Sequence, residues 1–272
     1  MTVTTLFNGY LTGLSTDTKP TSPSGYRFYE TDLGDELISD GTYWWLRGYP
    51  SLFSTRKIGW GNWGRTVTQA TGGLLNDWTA HTGTLGASNN TSGFDSTNGK
   101  YTTLQTGTTT AGGGSKVNVA ALTIRKSNPR IRIRFQLVEL TNHRLWMGFM
   151  TNLEPTGDTA FNAGGYAFAL GISTTLSSPL NANFVIWHAP NTTVTSVDDT
   201  GTAFDGNVHT VYLVGDDANS RFSWKLDSGS YNHVTTNIPT QSGSLTFVFM
   251  NENTDSLNKS FRIYDFMVQS DK

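Results

Sequence analysis

The chain has 272 residues, 12% aromatic and only 15% charged, with 29 glycines, no cysteine and a net charge of -2. That aromatic content can fill a core, which excludes a disordered chain, and the scarcity of Ala-, Leu-, Glu- and Lys-rich stretches excludes a helical one. The charge balance leaves no footprint for nucleic acid, and a chain without cysteine has neither disulfides nor thiolate metal sites.

In chain order, residues 1–23 carry Pro20 and Pro23 among many Thr and Ser. They lack a basic leader and an apolar stretch of signal-peptide length, and no run in the chain approaches the length of a membrane span. The expectation is a protein made in the cytoplasm without membrane insertion. Its first 23 residues read as an extended arm that wraps a neighbour, or as a loose terminus.

Residues 24–55 follow as a small aromatic meander. In Tyr26–Glu30, Tyr26 and Phe28 point one way and Arg27 and Tyr29 the other. Leu33-Gly34-Asp35 supplies a turn, Leu37 and Ile38 begin a return strand, and Asp40-Gly41 is a hairpin signal before Tyr43–Leu46. A sheet this small needs its face covered. Tyr26, Phe28, Tyr29, Trp44 and Trp45 are therefore expected to pack on the larger domain, on a sister chain or on another protein.

The order "GYRFYETDLG…LISDGTYWW" resembles a short repeat unit of bacteriophage and archaeal-virus appendage proteins. In that unit an aromatic strand leads into ETD-x-G, a short strand and DG-x-x-W. Gly25, Glu30, Thr31, Asp32, Gly34, Asp40, Gly41 and Trp44 match it. The resemblance implies a virion-associated protein whose N-terminal region attaches to other virion proteins or to sister chains. By analogy with viral fibres it implies a homotrimer.

A boundary falls near residue 55, after Tyr49-Pro50-Ser51. From 56 to 272, strand signals recur between Gly and Asn turns: Arg65–Gln69, Lys100–Thr106, Lys116–Val119, 130–140, 144–150, 165–172, 183–189, 208–214, 221–226, 244–250 and 260–268. In "RIRIRFQL", Ile131, Ile133, Phe135 and Leu137 alternate with Arg130, Arg132, Arg134 and Gln136. Other strands, such as "GYAFALGI", are apolar on both faces. No segment keeps a helical period, and no solenoid or propeller repeat is visible. The fold expected is all-β: an antiparallel β-sandwich of jelly-roll type behind the meander and the arm.

"FDGNVHTVYLVGDDANSRFSWKLDSGSY" (204–231) resembles concanavalin A-like and laminin G-like domains. Asp205, Gly206, His209 and Val211 match the start of their "DG-x-x-H-x-V" region, and Leu226, Asp227 and Gly229 its end. "FRIYDFMVQS" resembles their closing strand. The resemblance spans about residues 60–272 and implies a two-sheet jelly roll whose concave face often holds glycans.

Glycanases need an acid and a nucleophile or base flanking one bond. The large domain has no E-x-D-x-x-E run, Glu139 and Glu154 stand alone, and Asp32, Asp35 and Glu36 belong to the hairpin turn. His81, His143, His188, His209 and His233 show no ligand spacing. His209, beside Thr210 and Val211, reads as a structural strand residue. No G-x-S-x-G, P-loop or dinucleotide-binding pattern appears, so no enzyme is expected.

The dense oxygen clusters Asp198-Asp199 and Asp216-Asp217 are the calcium candidates, although turns favour Asp for backbone reasons alone. Glycan binding needs flat rings beside hydrogen-bonding groups. Trp60 and Trp63 of "GWGNWGR" stand among three glycines, free to present a ring, to cap the sandwich or to meet the N-terminal unit. Arg144 and Trp146 share one strand face, while Trp187 and His188 lie on opposite faces. Arg130, Arg132 and Arg134 form a basic stripe suited to solvent, a subunit contact or an acidic glycan.

The combined expectation is a non-enzymatic virion fibre, spike or capsid-decoration protein whose head contacts host glycan. The alternatives are a polysaccharide depolymerase on the same fold and a decoration protein with no ligand.

Overall fold

The computed structural model describes residues 4–7, 9–14, 17–32, 35–47, 57–62, 78–81, 91–106, 114–151, 165–190 and 196–270. They fall into two compact units, within residues 1–58 and 59–270.

The first unit is a five-stranded sheet of β1 (Thr4–Phe7), β2 (Tyr10–Gly13), β3 (Arg27–Glu30), β4 (Asp35–Ser39) and β5 (Trp44–Leu46), in that spatial order. Strands β3 to β5 are the expected meander. Asp40 builds its second turn: Oδ1 accepts the backbone N–H of Thr42 (2.9 Å) and Tyr43 (2.8 Å), and Oδ2 accepts the Trp45 indole N–H (3.0 Å). Gly41 takes the left-handed φ of 99° that this turn requires.

The expected arm is corrected. Thr4–Phe7 and Tyr10–Gly13 form a hairpin, and β2 runs parallel to β3, with Tyr10 opposite Arg27 and Gly13 opposite Glu30. The physical reason is cover. Leu11 of β2 joins Phe28, Leu37 and Trp44 in the unit's core, with Tyr26 packed against it and Phe28 edge-on to Trp44 at 5.8 Å. The segment before β3 adds polar ties. The Trp44 indole donates to the Pro20 carbonyl (3.0 Å), and Lys19 pairs with buried Glu30 (2.8 Å). Of the five aromatic residues expected at an external contact, Phe28, Trp44 and Trp45 are buried, Tyr26 is half-buried and Tyr29 is 40% exposed.

The second unit continues with β6 (Lys57–Asn62), β7 (Trp78–His81), β8 (Thr91–Asp95), β9 (Gly99–Gln105), β10 (Gly114–Ile124), β11 (Arg130–Leu137), β12 (His143–Met150), β13 (Tyr166–Ser173), β14 (Asn183–Pro190), β15 (Ser196–Ala203), β16 (Val208–Asp216), β17 (Arg221–Leu226), β18 (Asn232–Val234), β19 (Ser244–Asn253) and β20 (Ser260–Ser270). One sheet has seven strands in the order β15-β14-β13-β12-β19-β10-β7. The other has eight, in the order β18-β17-β16-β11-β20-β9-β8, with β6 also paired to β20.

The two sheets form the antiparallel jelly-roll sandwich that the strand pattern predicts. Burial alternates strictly along β11, so its isoleucines, Phe135 and Leu137 enter the core and its arginines and Gln136 face away. Across the core Phe168 stacks on Phe222 (4.5 Å), Phe135 meets Phe184 edge-on (5.9 Å) and Phe247 meets Phe266 (5.6 Å).

Two local features depart from the sequence reading. The turn expected at Asp198-Asp199 is edge strand β15, paired to β14; an edge tolerates polar residues because it pairs on one side only. Strand β20 carries a bulge: Arg134 pairs with Asp265 but Phe135 with Ile263, leaving Tyr264 as the extra residue. The strand expected at Arg65–Gln69 lies outside the described residues. No helix among the described residues is long and apolar enough to cross a membrane.

Candidate functional site

Alternation along β12 sends Leu145, Met147 and Phe149 into the core and leaves Arg144, Trp146 and Met150 on the opposite side of the seven-stranded sheet. On β14 the same rule puts Phe184 and Ile186 inside and Val185, Trp187 and Ala189 outside. The structure therefore brings Arg144, Trp146 and Trp187 to one face. The two indole rings lie 5.8 Å apart at 59°. His188 faces the other way, its ring between the Thr236 carbonyl (3.1 Å) and Asp198 (3.1 Å).

Small residues make room for the tryptophans. Gly171 pairs with Trp146 on one side and Val185 on the other. A Cβ there would overlap the Leu145 carbonyl and come within 3.0 Å of the Trp187 ring. The sugar-stacking role expected of Trp146 and Trp187 is not available in this structure. Both are 0% exposed, so neither offers a ring face to solvent. Ala167, Ala169, Val248 and Met250 complete an apolar layer around them, making this sheet apolar on its second face as well.

The polar end of the face is built on Arg144. Its Nη1 lies 3.2 Å from Glu252 Oε1, and its Nε and Nη2 donate to Thr175 Oγ1 (3.1 and 2.9 Å), which meets Ser173 Oγ at 3.0 Å. Glu252 is a site residue that sequence reasoning missed. It sits opposite Arg144 on β19, and continuing the alternation of Val248 and Met250 by two residues reaches it.

Hydrolysis of a glycosidic bond takes two carboxyl groups about 5–10 Å apart. Glu252 is held by Arg144. The other carboxylate placed on this face among the described residues is Asp199, opposite Val185 on β15. From β19 to β15 is four strand spacings, roughly 19 Å at about 4.8 Å each. The Asp199 carboxylate is itself engaged by the Asn183 amide (2.9 and 3.0 Å) and the Gly201 N–H (2.7 Å).

The other expected site residues are dispersed. Trp60 lies on β6, and Trp63 lies outside the described residues. Asp216 accepts from Arg221 Nε (2.9 Å) and the Asn219 amide. Asp217 accepts from Gln241 (3.2 Å) and pairs with Arg125 (3.4 Å). Asp198 meets His188. Among the described residues no group of three or more His, Cys, Asp or Glu converges in a way that could hold a metal ion.

His209 is a structural strand residue with a defined electrostatic role. Its Nδ1 lies 2.8 Å from Asp227 Oδ2 and its Nε2 2.9 Å from Asp205 Oδ1, and its ring packs on Phe184 (5.1 Å). Burial pushes the imidazole pKa down, but the hydrogen bonds and charges of Asp227 and Asp205 outweigh it, and the pKa is raised. For Asp205, burial pushes upward, while the Asn207 N–H and His209 pull the pKa below its ordinary value.

A raised histidine pKa contributes stability that is fully present below the unfolded value and is lost as pH rises through the folded one. His209→Gln is therefore expected to cost about 1–2 kcal/mol near pH 5.5, a figure reduced because both carboxylates are nearly half exposed. That deficit should shrink by about pH 9. Urea unfolding of both proteins at the two pH values measures it, and a deficit independent of pH would refute the charged pairing.

No protein-family model matches the sequence, and no curated sequence is significantly similar to it. Solved structures are similar in fold. A protein of unknown function from Shewanella oneidensis MR-1 aligns with a TM-score of 0.57 at 10% identity, covering 81% of this chain and 88% of that one. A Bacillus licheniformis β-glucanase aligns at 0.49 and 11% identity (79% and 98% covered), and peanut lectin at 0.48 and 11% identity (80% and 98%). Likeness at this identity is of fold alone, a two-sheet β-sandwich.

Proposed function

We propose that the chain is a non-enzymatic virion appendage protein, a fibre, spike or capsid decoration, whose sandwich head binds glycan on a host surface. The observation that supports the non-enzymatic reading is the distance of Glu252 from Asp199, the other carboxylate placed on this face among the described residues. Glu252 is ion-paired with Arg144, and roughly 19 Å separates it from Asp199, about twice the span that an acid and its partner carboxylate can bridge. Exposed Thr175 and partly exposed Arg144 instead present polar groups at this end of the face, held from behind by buried Glu252 and Ser173, which suits recognition of sugar hydroxyls.

The appendage reading rests on the ETD-x-G and DG-x-x-W resemblance, in which Asp40 and Gly41 serve as turn-builders. Attachment to the particle or to sister chains goes with the first unit, where Tyr29 remains exposed. A homotrimer is the assembly inferred, and three chain masses are expected in sedimentation equilibrium.

The test is a glycan-array screen of the purified full chain, followed by a reducing-end assay on each polysaccharide bound. Specific binding without new reducing ends is the expected outcome. New reducing ends would overturn the non-enzymatic reading, and an array without hits would overturn the lectin role.

A further inference from the structure

We propose that the outer face of the eight-stranded sheet, opposite the core, is a second binding surface whose ligand is an acidic polysaccharide. Alternation along β11 sends Arg132, Arg134 and Gln136 away from the core. The bulge in β20 then places the extra residue, Tyr264, next to Asp265, the partner of Arg134.

The result is an interleaved array of cations and tyrosine rings. The Arg134 guanidinium lies 5.2 Å from the centroid of Tyr264, and that of Arg262 lies 4.4 Å from Tyr101. The two rings meet edge-on at 5.7 Å. Towards β17, Lys225 lies 4.3 Å from the Tyr212 ring. The close fit is built in: a Cβ on Gly93 of β8 would overlap the Tyr101 ring.

Arg134 and Arg262 are fixed by neutral acceptors. Arg134 donates to the Asn98 carbonyl (3.0 Å) and its side-chain oxygen (2.8 Å), and Arg262 donates to Gln136 Oε1 (3.1 Å). Among the described residues neither meets a carboxylate, so their charge is positioned without being cancelled. Of the two acids nearby, Asp265 is taken by Arg132 at 2.7 Å, and Asp95 by the backbone of Thr97 and Asn98.

Within this array Arg132, Arg134, Lys225 and Arg262 against Asp265 and Asp95 give +4 - 2 = +2, in a chain whose net charge is -2. Charge complementarity calls for an anionic ligand. Held guanidinium forks suit carboxylate or sulfate groups, and the half-buried rings of Tyr101 and Tyr212 hold their cations in place from beneath. Double-stranded DNA is disfavoured, because matching this face calls for anionic groups borne on a flexible sugar chain and not for a stiff duplex backbone. This surface is separate from the Arg144 end of the other sheet, and the proposal stands or falls independently of that site.

The test is surface plasmon resonance of the full chain on alginate and on dextran sulfate, with neutral dextran and double-stranded DNA as comparators. Binding to one or both acidic polysaccharides, none to dextran and weaker binding to DNA are expected. Raising NaCl from about 50 to about 300 mM should weaken binding severalfold. The double substitution Arg134→Gln/Arg262→Gln should weaken it about tenfold or more at an unchanged melting temperature.

Should that double variant misfold, Arg132→Gln, at a side chain 42% exposed, is the second probe, with a loss of about threefold expected. No binding to either acidic polymer, equal or tighter binding to DNA, or an affinity that the folded variants leave unchanged would each overturn the proposal. A neutral glycan that binds the chain and is indifferent to these variants would support the lectin role of the other sheet, leaving the present proposal to the acidic-polymer result.

Discussion

Asn251→Leu is expected to destabilise the sandwich by about 3 kcal/mol or more, although leucine nearly matches asparagine in shape. Asn251 is fully buried on β19 of the seven-stranded sheet. Its amide donates to the carbonyls of Leu104 on β9 of the eight-stranded sheet (3.0 Å) and of Lys259, the residue that leads into β20 of that sheet (3.1 Å). Its oxygen meets Nε2 of fully buried His143, whose Nδ1 lies 2.9 Å from the Glu139 carbonyl. One side chain thus ties the two sheets together at one end of the sandwich.

Leucine would keep the volume and strand two carbonyls and a ring nitrogen without water, at about 1–3 kcal/mol for each orphaned group. For a unit of this size that corresponds to a fall in melting temperature of roughly 6–12 °C. Calorimetry and urea unfolding check it. A variant as stable as the parent would show that the polar tie contributes nothing beyond filling space.

Gly171→Ala is the second large effect, expected to cost about 2–3 kcal/mol through overpacking. The added methyl would collide with the backbone carbonyl of Leu145 on the neighbouring strand, which cannot rotate aside, and press on the Trp187 ring. Because Trp187 packs against Trp146, tryptophan fluorescence should shift together with the stability. Gly206→Ala is the control. There a Cβ would meet only the Leu137 carbonyl at 3.8 Å, an ordinary contact, and little change is expected. Equal stability of the two variants would mean that the strands around Gly171 adjust more readily than a packed sheet allows.

These effects bear on function through the same packing. The Arg144–Glu252 pair and the tryptophans share β12 and its neighbours with Gly171, so a displaced strand would misplace the donors that the proposed lectin role requires. The cation–tyrosine array depends instead on β11, β20 and β9. Losses at the two faces should therefore separate when variants are compared on neutral and acidic glycans.

By itself the sequence determined everything that a period of two can encode. It specified which residues of β11 enter the core, that Arg144 and Trp146 share a face while Trp187 and His188 do not, and that Asp40-Gly41 turns a hairpin. Each of these follows from neighbouring residues on one strand, where the pleat alone decides direction. Only the tertiary structure decided which strands lie side by side.

Partner choice joined β2 in parallel to β3, set Glu252 opposite Arg144, made an edge strand of the Asp198-Asp199 segment and inserted Tyr264 as a bulge. It also decided burial on the second face of the seven-stranded sheet, where Trp146 and Trp187, read from sequence as rings for stacking, are enclosed. Cross-strand pairing and the covering of a sheet face depend on residues far apart in the chain, which a local pattern does not record.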